Sequence, residues 1–340
     1  MSSSFLDFIR MTNLCVEITQ PVKPLEYQDD PNGLIALCTL SAINFGDLKS
    51  PADLEQPCRR AVRALDSLLS YQEYPLKASQ RHTEMYRPLG IGINNLAYFL
   101  AKHNLKYGDQ QALVLLDEYM EAFSYYIIKA SVELAKEKGP CEAVEHTRYK
   151  QGIVPMDVRK IAVDELVPHN PKLDWDSLKE DLKTYGIRNA TLMACMPSET
   201  SSKVANCTNG VEPVRNMVVT KRGRKTVAPH AHRMESKYDV VWNQIGPKNY
   251  LKTMAIIQKW IDQAISSNTT YNLAHYPSSV IPAKIIFEDI LTAYKYGLKS
   301  LYYSNNLKSV DIDDEDEVLL VLDKQESDDS DEESCESCAI

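Results

Sequence analysis

At 340 residues the chain can bury one large core or two ordinary ones, and 44% hydrophobic with 25% charged residues excludes a disordered or fibrous protein. No apolar run is long enough to span a bilayer and Met1–Arg10 lacks a signal-peptide pattern, so a cytoplasmic protein is expected. The net charge of −9 is unevenly placed: residues 311–340 hold eight Asp and six Glu against one Lys, which leaves the remainder at about +4. That balance suits an anionic small molecule and lacks the basic stripe of a nucleic-acid binder.

Residues 1–12 read as a short leader. Asn13-Leu14-Cys15-Val16-Glu17 follows. In an extended segment alternate side chains share a face, so Asn13, Cys15 and Glu17 would present an amide, a thiol and a carboxylate together. The same residues also fit a strand with one buried cysteine. Residues 35–43 form an unbroken apolar run, expected to be a strand buried on both faces with Cys38 at its middle. A cysteine in such a place is ordinarily a small hydrophobe.

Helices are predicted over 53–72, 89–103 and 110–138, the last ended by Gly139-Pro140, and over 174–185, closed by Gly186. A short strand, 190–195, runs into Met196-Pro197-Ser198-Glu199-Thr200-Ser201-Ser202. Proline suits a first helical turn, and hydroxyls beside unpaired N–H groups suit a phosphate. A capping box accounts for the same residues.

Residues 211–228 read as a β-hairpin turning at Lys221-Arg222-Gly223-Arg224. A helix over 247–266, a strand over 269–273 and a helix over 282–296 capped by Gly297 come next. The strand 298–304 ends in Tyr302-Tyr303, whose phenols are common strand aromatics that can also carry a one-electron oxidation. Strands alternating with helices predict a parallel α/β arrangement.

Residues 306–340 are too polar to pack and are expected to be a flexible acidic tail. The tail closes with Cys335-Glu336-Ser337-Cys338. A mobile CxxC pair suits thiol–disulfide exchange or half of a zinc site. No Walker motif or dinucleotide fingerprint is present.

Taken in order, several of these segments resemble class I ribonucleoside-diphosphate reductase large (alpha) subunits. They are Asn13–Glu17, Leu37-Cys38-Thr39-Leu40-Ser41-Ala42, Arg87-Pro88-Leu89-Gly90-Ile91-Gly92-Ile93 and Arg188-Asn189-Ala190-Thr191-Leu192. Met196–Ser202, Leu291-Thr292-Ala293-Tyr294-Lys295-Tyr296-Gly297 and Leu301-Tyr302-Tyr303 complete the set. The resemblance implies an α/β fold: over 13–305, the second half of a ten-stranded α/β barrel with a catalytic finger loop, many helices and one β-hairpin. A disordered acidic tail would follow over 306–340.

It also implies roles. Cys15 would become a thiyl radical and remove the ribose 3′ hydrogen, Glu17 would accept the 3′-hydroxyl proton, and Asn13 would hydrogen-bond the ribose hydroxyls. Leu14 and Val16 would lie against the substrate with them. Cys38 would supply one reducing thiol. Pro197, Ser198, Glu199, Thr200 and Ser201 would cradle the diphosphate. Tyr302 and Tyr303 would relay the radical, and Cys335 and Cys338 would re-reduce the active site before being reduced by thioredoxin or glutaredoxin.

No metal or cofactor is expected on this chain. The resemblance puts a metal–radical cofactor in a small (beta) subunit and nucleotide effectors on the N-terminal half of the large subunit. A split subunit is therefore expected, its N-terminal half a separate chain. The other partners would be the small subunit and a ribonucleoside diphosphate, with no membrane or nucleic acid. The alternatives are a non-catalytic truncated remnant that only binds a partner chain, and a zinc-binding interaction protein built on the tail CxxC.

Overall fold

The computed structural model describes residues 9–215, 218–220, 227–229 and 237–307. The tail cysteines, the turn at 221–224 and most of the leader lie outside these. Five extended segments run parallel. β3 (Leu40–Asn44) pairs with β4 (Gly90–Asn94) in register, Leu40 opposite Gly90 and Asn44 opposite Asn94. The other side of β4 takes residues 191–194: Ile91 N–H donates to Leu192 O at 2.7 Å and Ala194 N–H to Ile91 O at 3.1 Å. Cys195 bridges Ile265 in parallel, and that chain continues into β7 (Thr269–Asn272), which pairs with β8 (Ser304–Leu307). Among the described residues the array does not close into a barrel.

Two glycines set the spacing under the site. A Cβ on Gly92 would lie 2.5 Å from Ala194 O and 3.2 Å from Met196 Sδ, and one on Gly90 would lie 2.6 Å from a Leu40 methyl. These close approaches, together with the alternation Gly-Ile-Gly-Ile, make 90–94 a strand where a helix over 89–103 was expected. Asn95, at φ 67°, turns the chain into the short helix α3 (Leu96–Lys102).

Helices cover one side of the array. α1 (Glu55–Tyr71) buries Val62, Leu65 and Leu69 of its apolar repeat together with Cys58, while Leu68 of the same repeat is exposed. α4 (Gln110–Lys138) packs on α1 and on α7 (Lys248–Trp260). At the centre of the core, Phe45, Phe99 and Phe123 are fully buried, with ring centroids 5.8 to 6.1 Å from Phe45. α5 (Trp175–Tyr185) and α8 (Ala283–Tyr296) end at Gly186 and Gly297 as predicted. α2 (Lys77–Tyr86) had no clear sequence signal.

Further expectations are corrected. α7 stops at Trp260, and 261–268 is extended, because its backbone donors are spent on neighbouring strands instead of on a helix. The apolar run 35–43 is strand only from Leu40, and Cys38 before it is exposed. Within β3 only Ile43 is buried and Leu40 is exposed, so the run is not a strand buried on both faces, and its outer edge has no strand partner among the described residues. Among the described residues two strand pairs are antiparallel, β5 (Val218–Thr220) with β6 (Val227–Pro229), as expected, and β1 (Ile9–Thr12) with β2 (Thr19–Pro21), and Lys23 bridges Leu34 in the same sense. Tyr302-Tyr303 precedes the last strand instead of ending it.

A buried ionic cluster ties α1 to this array. Asp66 accepts from Arg87 Nε at 2.7 Å, Asn189 Nδ2 at 3.2 Å and Arg188 Nε at 3.3 Å. Burial works against its charge, but these donors outweigh it and hold the carboxyl below its usual range. Removing one member strands the others in low dielectric. Asp66→Ala should therefore cost about 3–5 kcal/mol, read as a lower urea midpoint; an unchanged midpoint would contradict this.

Candidate active site

The segment 13–18 is a tight turn joining β1 to β2, not the extended segment expected. Asn13 O accepts from Val16 N–H at 3.2 Å, Asn13 Oδ1 accepts from Ile18 N–H at 2.9 Å, and Val16 has φ 58°. The turn still brings the predicted residues together, by a different geometry. Cys15 and Glu17 are buried, at 9% and 1% exposure, Leu14 is exposed, and Asn13 and Val16 are half-buried.

The turn is fastened to residues 263–266. Ala264 N–H donates to Glu17 O at 2.8 Å, and Gln263 Oε1 accepts from Thr19 N–H at 2.7 Å. Ser266 Oγ lies 2.5 Å from Cys15 O and 3.1 Å from Glu17 Oε2. Burial raises the Glu17 carboxyl above its ordinary value, partly offset by hydrogen bonds from Asn13, its own backbone and Ser266. A carboxylate poised upward is a better proton acceptor than one held low.

Cys38 belongs to the same cluster although its chain segment is exposed. The protein around its sulfur pushes the thiol up to about 11, the Glu17 charge adds to this, and a hydrogen bond from Asn13 opposes it. The Asn13 side chain thus reaches both Glu17 and Cys38. Amide, carboxyl and the Cys38 thiol make a proton-accepting and redox-capable group, beside the turn that carries the buried Cys15.

Pro197–Ser201 follows directly from Cys195, whose N–H donates to Ala264 O at 3.1 Å. Helix α6 (Glu199–Val204) begins there. Its first N–H groups have no partner within the helix. Ser198 is buried, its N–H donates to Asn209 Oδ1 at 2.9 Å, and its Oγ has no hydrogen-bond partner. Glu199 Oε1 accepts from Asn209 Nδ2 at 2.8 Å, while Thr200 and Ser201 are exposed.

Tyr302 and Tyr303 adjoin the other flank. Tyr302 N–H donates to Ser267 O at 2.8 Å and Tyr303 N–H to Asn268 Oδ1 at 3.0 Å. Their rings are 4.0 Å apart and their hydroxyls 3.0 Å apart.

Sequence reasoning missed Gln263 and Ser266 because the helix is carried through to 266, and it passed over Ser267 and Asn268 between that helix and the strand from 269. The alternation Ile261, Gln263, Ile265, Ser267 after Trp260 was the available signal. It also missed Glu212, whose carboxyl is raised by burial and accepts from Asn268 Nδ2 beside an open cleft lined by Arg215, Gln244 and Tyr250. Among the described residues no group of three or more His, Cys, Asp or Glu side chains is placed to hold a metal, and no helix is long and apolar enough to cross a membrane.

The sequence model of the ribonucleotide reductase barrel domain matches residues 2–233 and 225–304. The chain belongs to this family. It is 45% identical over 301 residues to the ribonucleoside-diphosphate reductase subunit alpha of Haemophilus influenzae, covering 87% of this chain and 40% of that protein. It is 43% identical over 301 residues to ribonucleoside-diphosphate reductase 1 subunit alpha of Escherichia coli K12, with the same shares. The corresponding subunit of Enterobacteria phage T4 is 39% identical over 315 residues, 90% of this chain and 41% of that protein. The chain thus spans about 40% of the length of these relatives.

The contact between Glu17 and Cys38 is testable in this chain directly. A negative neighbour disfavours the thiolate, so Glu17→Gln should lower the Cys38 value. Alkylation of Cys38, followed by peptide mass spectrometry, should quicken roughly two- to tenfold at mildly alkaline pH. An unchanged rate would place the two groups apart.

Proposed function

We propose that this chain is the catalytic part of a ribonucleoside-diphosphate reductase. It would reduce ribonucleoside diphosphates to their 2′-deoxy forms by radical chemistry, as a DNA-precursor enzyme. The observation that carries the reading is the gathering of Asn13, Cys15, Glu17 and Cys38 around one buried turn, fastened to the strand that also holds Tyr302 and Tyr303. Family membership and the relatives' printed names support it.

In this reading Tyr302 and Tyr303 would relay one electron out of the site toward a small beta subunit, whose metal–radical cofactor would supply the oxidising equivalent. Cys15 loses that electron and its proton, and the sulfur radical takes the 3′ hydrogen atom from the ribose. Glu17 takes the 3′-hydroxyl proton, which its raised affinity favours. The 2′-hydroxyl leaves as water with a proton supplied by a thiol. Two electrons and two protons come from Cys38 and a second cysteine, which end as a disulfide. Cys15 then returns its hydrogen to C3′, and the radical passes back out.

The unpaired N–H groups at the start of α6 and the buried Ser198 hydroxyl would meet the diphosphate, with Pro197 presetting the turn and Glu199, Thr200 and Ser201 completing it. Cys335 and Cys338 would reduce the new disulfide and be reduced in turn by thioredoxin or glutaredoxin. We further propose that 13–305 supplies half of a ten-stranded barrel. The other half of the barrel, with the second reducing cysteine and the effector sites, would complete it. The assembly would work in the cytoplasm.

The test is CDP reduction by this chain combined with its N-terminal-half partner and the small subunit. Cys15→Ala and Tyr302→Phe should each drop turnover to background while gel filtration still returns the assembled complex. Reduction by the Cys15→Ala complex would overturn the assignment.

A further inference from the structure

The hydroxyl of Ser266 stands between Cys15 O and Glu17 Oε2, at 2.5 and 3.1 Å. A serine hydroxyl has one proton to give and lone pairs that accept, whereas a backbone carbonyl only accepts. While Glu17 is ionised both neighbours of Ser266 are acceptors, and one proton serves two claims. Once Glu17 is protonated its own O–H can donate to Ser266 Oγ, and the serine proton then belongs wholly to the Cys15 carbonyl. The three groups become a row of hydrogen bonds with one direction, each polarising the next.

We propose that Ser266 is a positioning residue that couples the proton on Glu17 to the backbone of Cys15. The proposal rests on the reductase reading for its purpose: the 3′ O–H bond breaks, an O–H bond forms on Glu17, and the Cys15 peptide is gripped more firmly while its sulfur must stay near C3′ to return the hydrogen. When Glu17 gives the proton back, the grip relaxes. No redox change at Ser266 is involved.

Ser266 is suited to this because it cannot drift. It is 5% exposed, its N–H donates to Cys195 O at 2.9 Å, and the neighbouring Ala264 N–H holds Glu17 O at 2.8 Å. Besides the Cys15 thiol in the turn itself, the titratable groups on other elements that feel Glu17 among the described residues include Cys38, in the segment leading to β3, and Cys195, on the adjacent strand. They are held up at about 11 and about 12, so both stay neutral while Glu17 titrates.

The experiment is isotope-edited infrared spectroscopy of the full chain carrying 13C at its cysteine carbonyls. The Cys15 band is assigned by its loss in Cys15→Ser and the Glu17 carboxyl band by its loss in Glu17→Gln. In the wild type the Cys15 carbonyl should shift with the same pH midpoint as Glu17. In Ser266→Ala the Glu17 midpoint should move up, having lost a donor to its charged form, and the Cys15 band should stop following it. Ser266→Thr, which keeps the hydroxyl, should restore the coupling.

A Cys15 band that tracks Glu17 in Ser266→Ala, or that stays still in the wild type, overturns the proposal. In the assembled enzyme the limb of the turnover profile set by Glu17 should move to higher pH in Ser266→Ala. Coupled bands in an assembly that never reduces CDP would count against the reductase reading alone.

Discussion

The site depends on one extended segment, residues 262–268, and on the hydrogen bonds it sends in both directions. On one side it is paired with Cys195 and so holds the start of the 197–201 turn. On the other it receives Tyr302 and Tyr303. From its end it fastens the 13–18 turn through Ala264, Gln263 and Ser266. Three stretches of chain far apart in sequence meet because one backbone satisfies the donors and acceptors of all three. The turn contributes only part of this by itself: Asn13 closes it with three bonds, but its position comes from the strand.

Chemistry-bearing residues were easier to read than the geometry that presents them. Asn13, Cys15 and Glu17 were picked out as sharing a face, and they do converge, but through a turn with a left-handed Val16, which no alternation rule describes. Local rules succeeded where local physics decides. The α1 helix and the Gly186 and Gly297 caps appear where expected, although Leu68 of the α1 repeat is exposed. They failed where tertiary pairing decides. Residues 261–268 look helical as a continuation of α7, and 90–94 look helical as a lead into α3. In both cases parallel neighbours claim the backbone first. The buried roles of Ser266 and Asn268 had no sequence signal beyond a weak alternation, since a serine and an asparagine in a strand are unremarkable until their partners are known.

Electrostatics at the site follows from the same packing. Desolvation raises Glu17, Cys38 and Cys195 together, and the few hydrogen bonds offered to Glu17 do not cancel it. A proton acceptor beside thiols that stay protonated is the state in which hydrogen atoms, not thiolate charge, would be exchanged. Cys38, just before β3, is exposed as a residue, yet enough protein surrounds its sulfur to keep the thiol protonated beside Glu17.

The most direct measurement is the structure of the assembled complex with a ribonucleoside diphosphate bound. The account predicts the Cys15 sulfur within about 3 to 3.5 Å of the ribose C3′ hydrogen's position, with the Glu17 carboxyl on the 3′-hydroxyl. A sugar seated in the complex with that sulfur out of reach would contradict it.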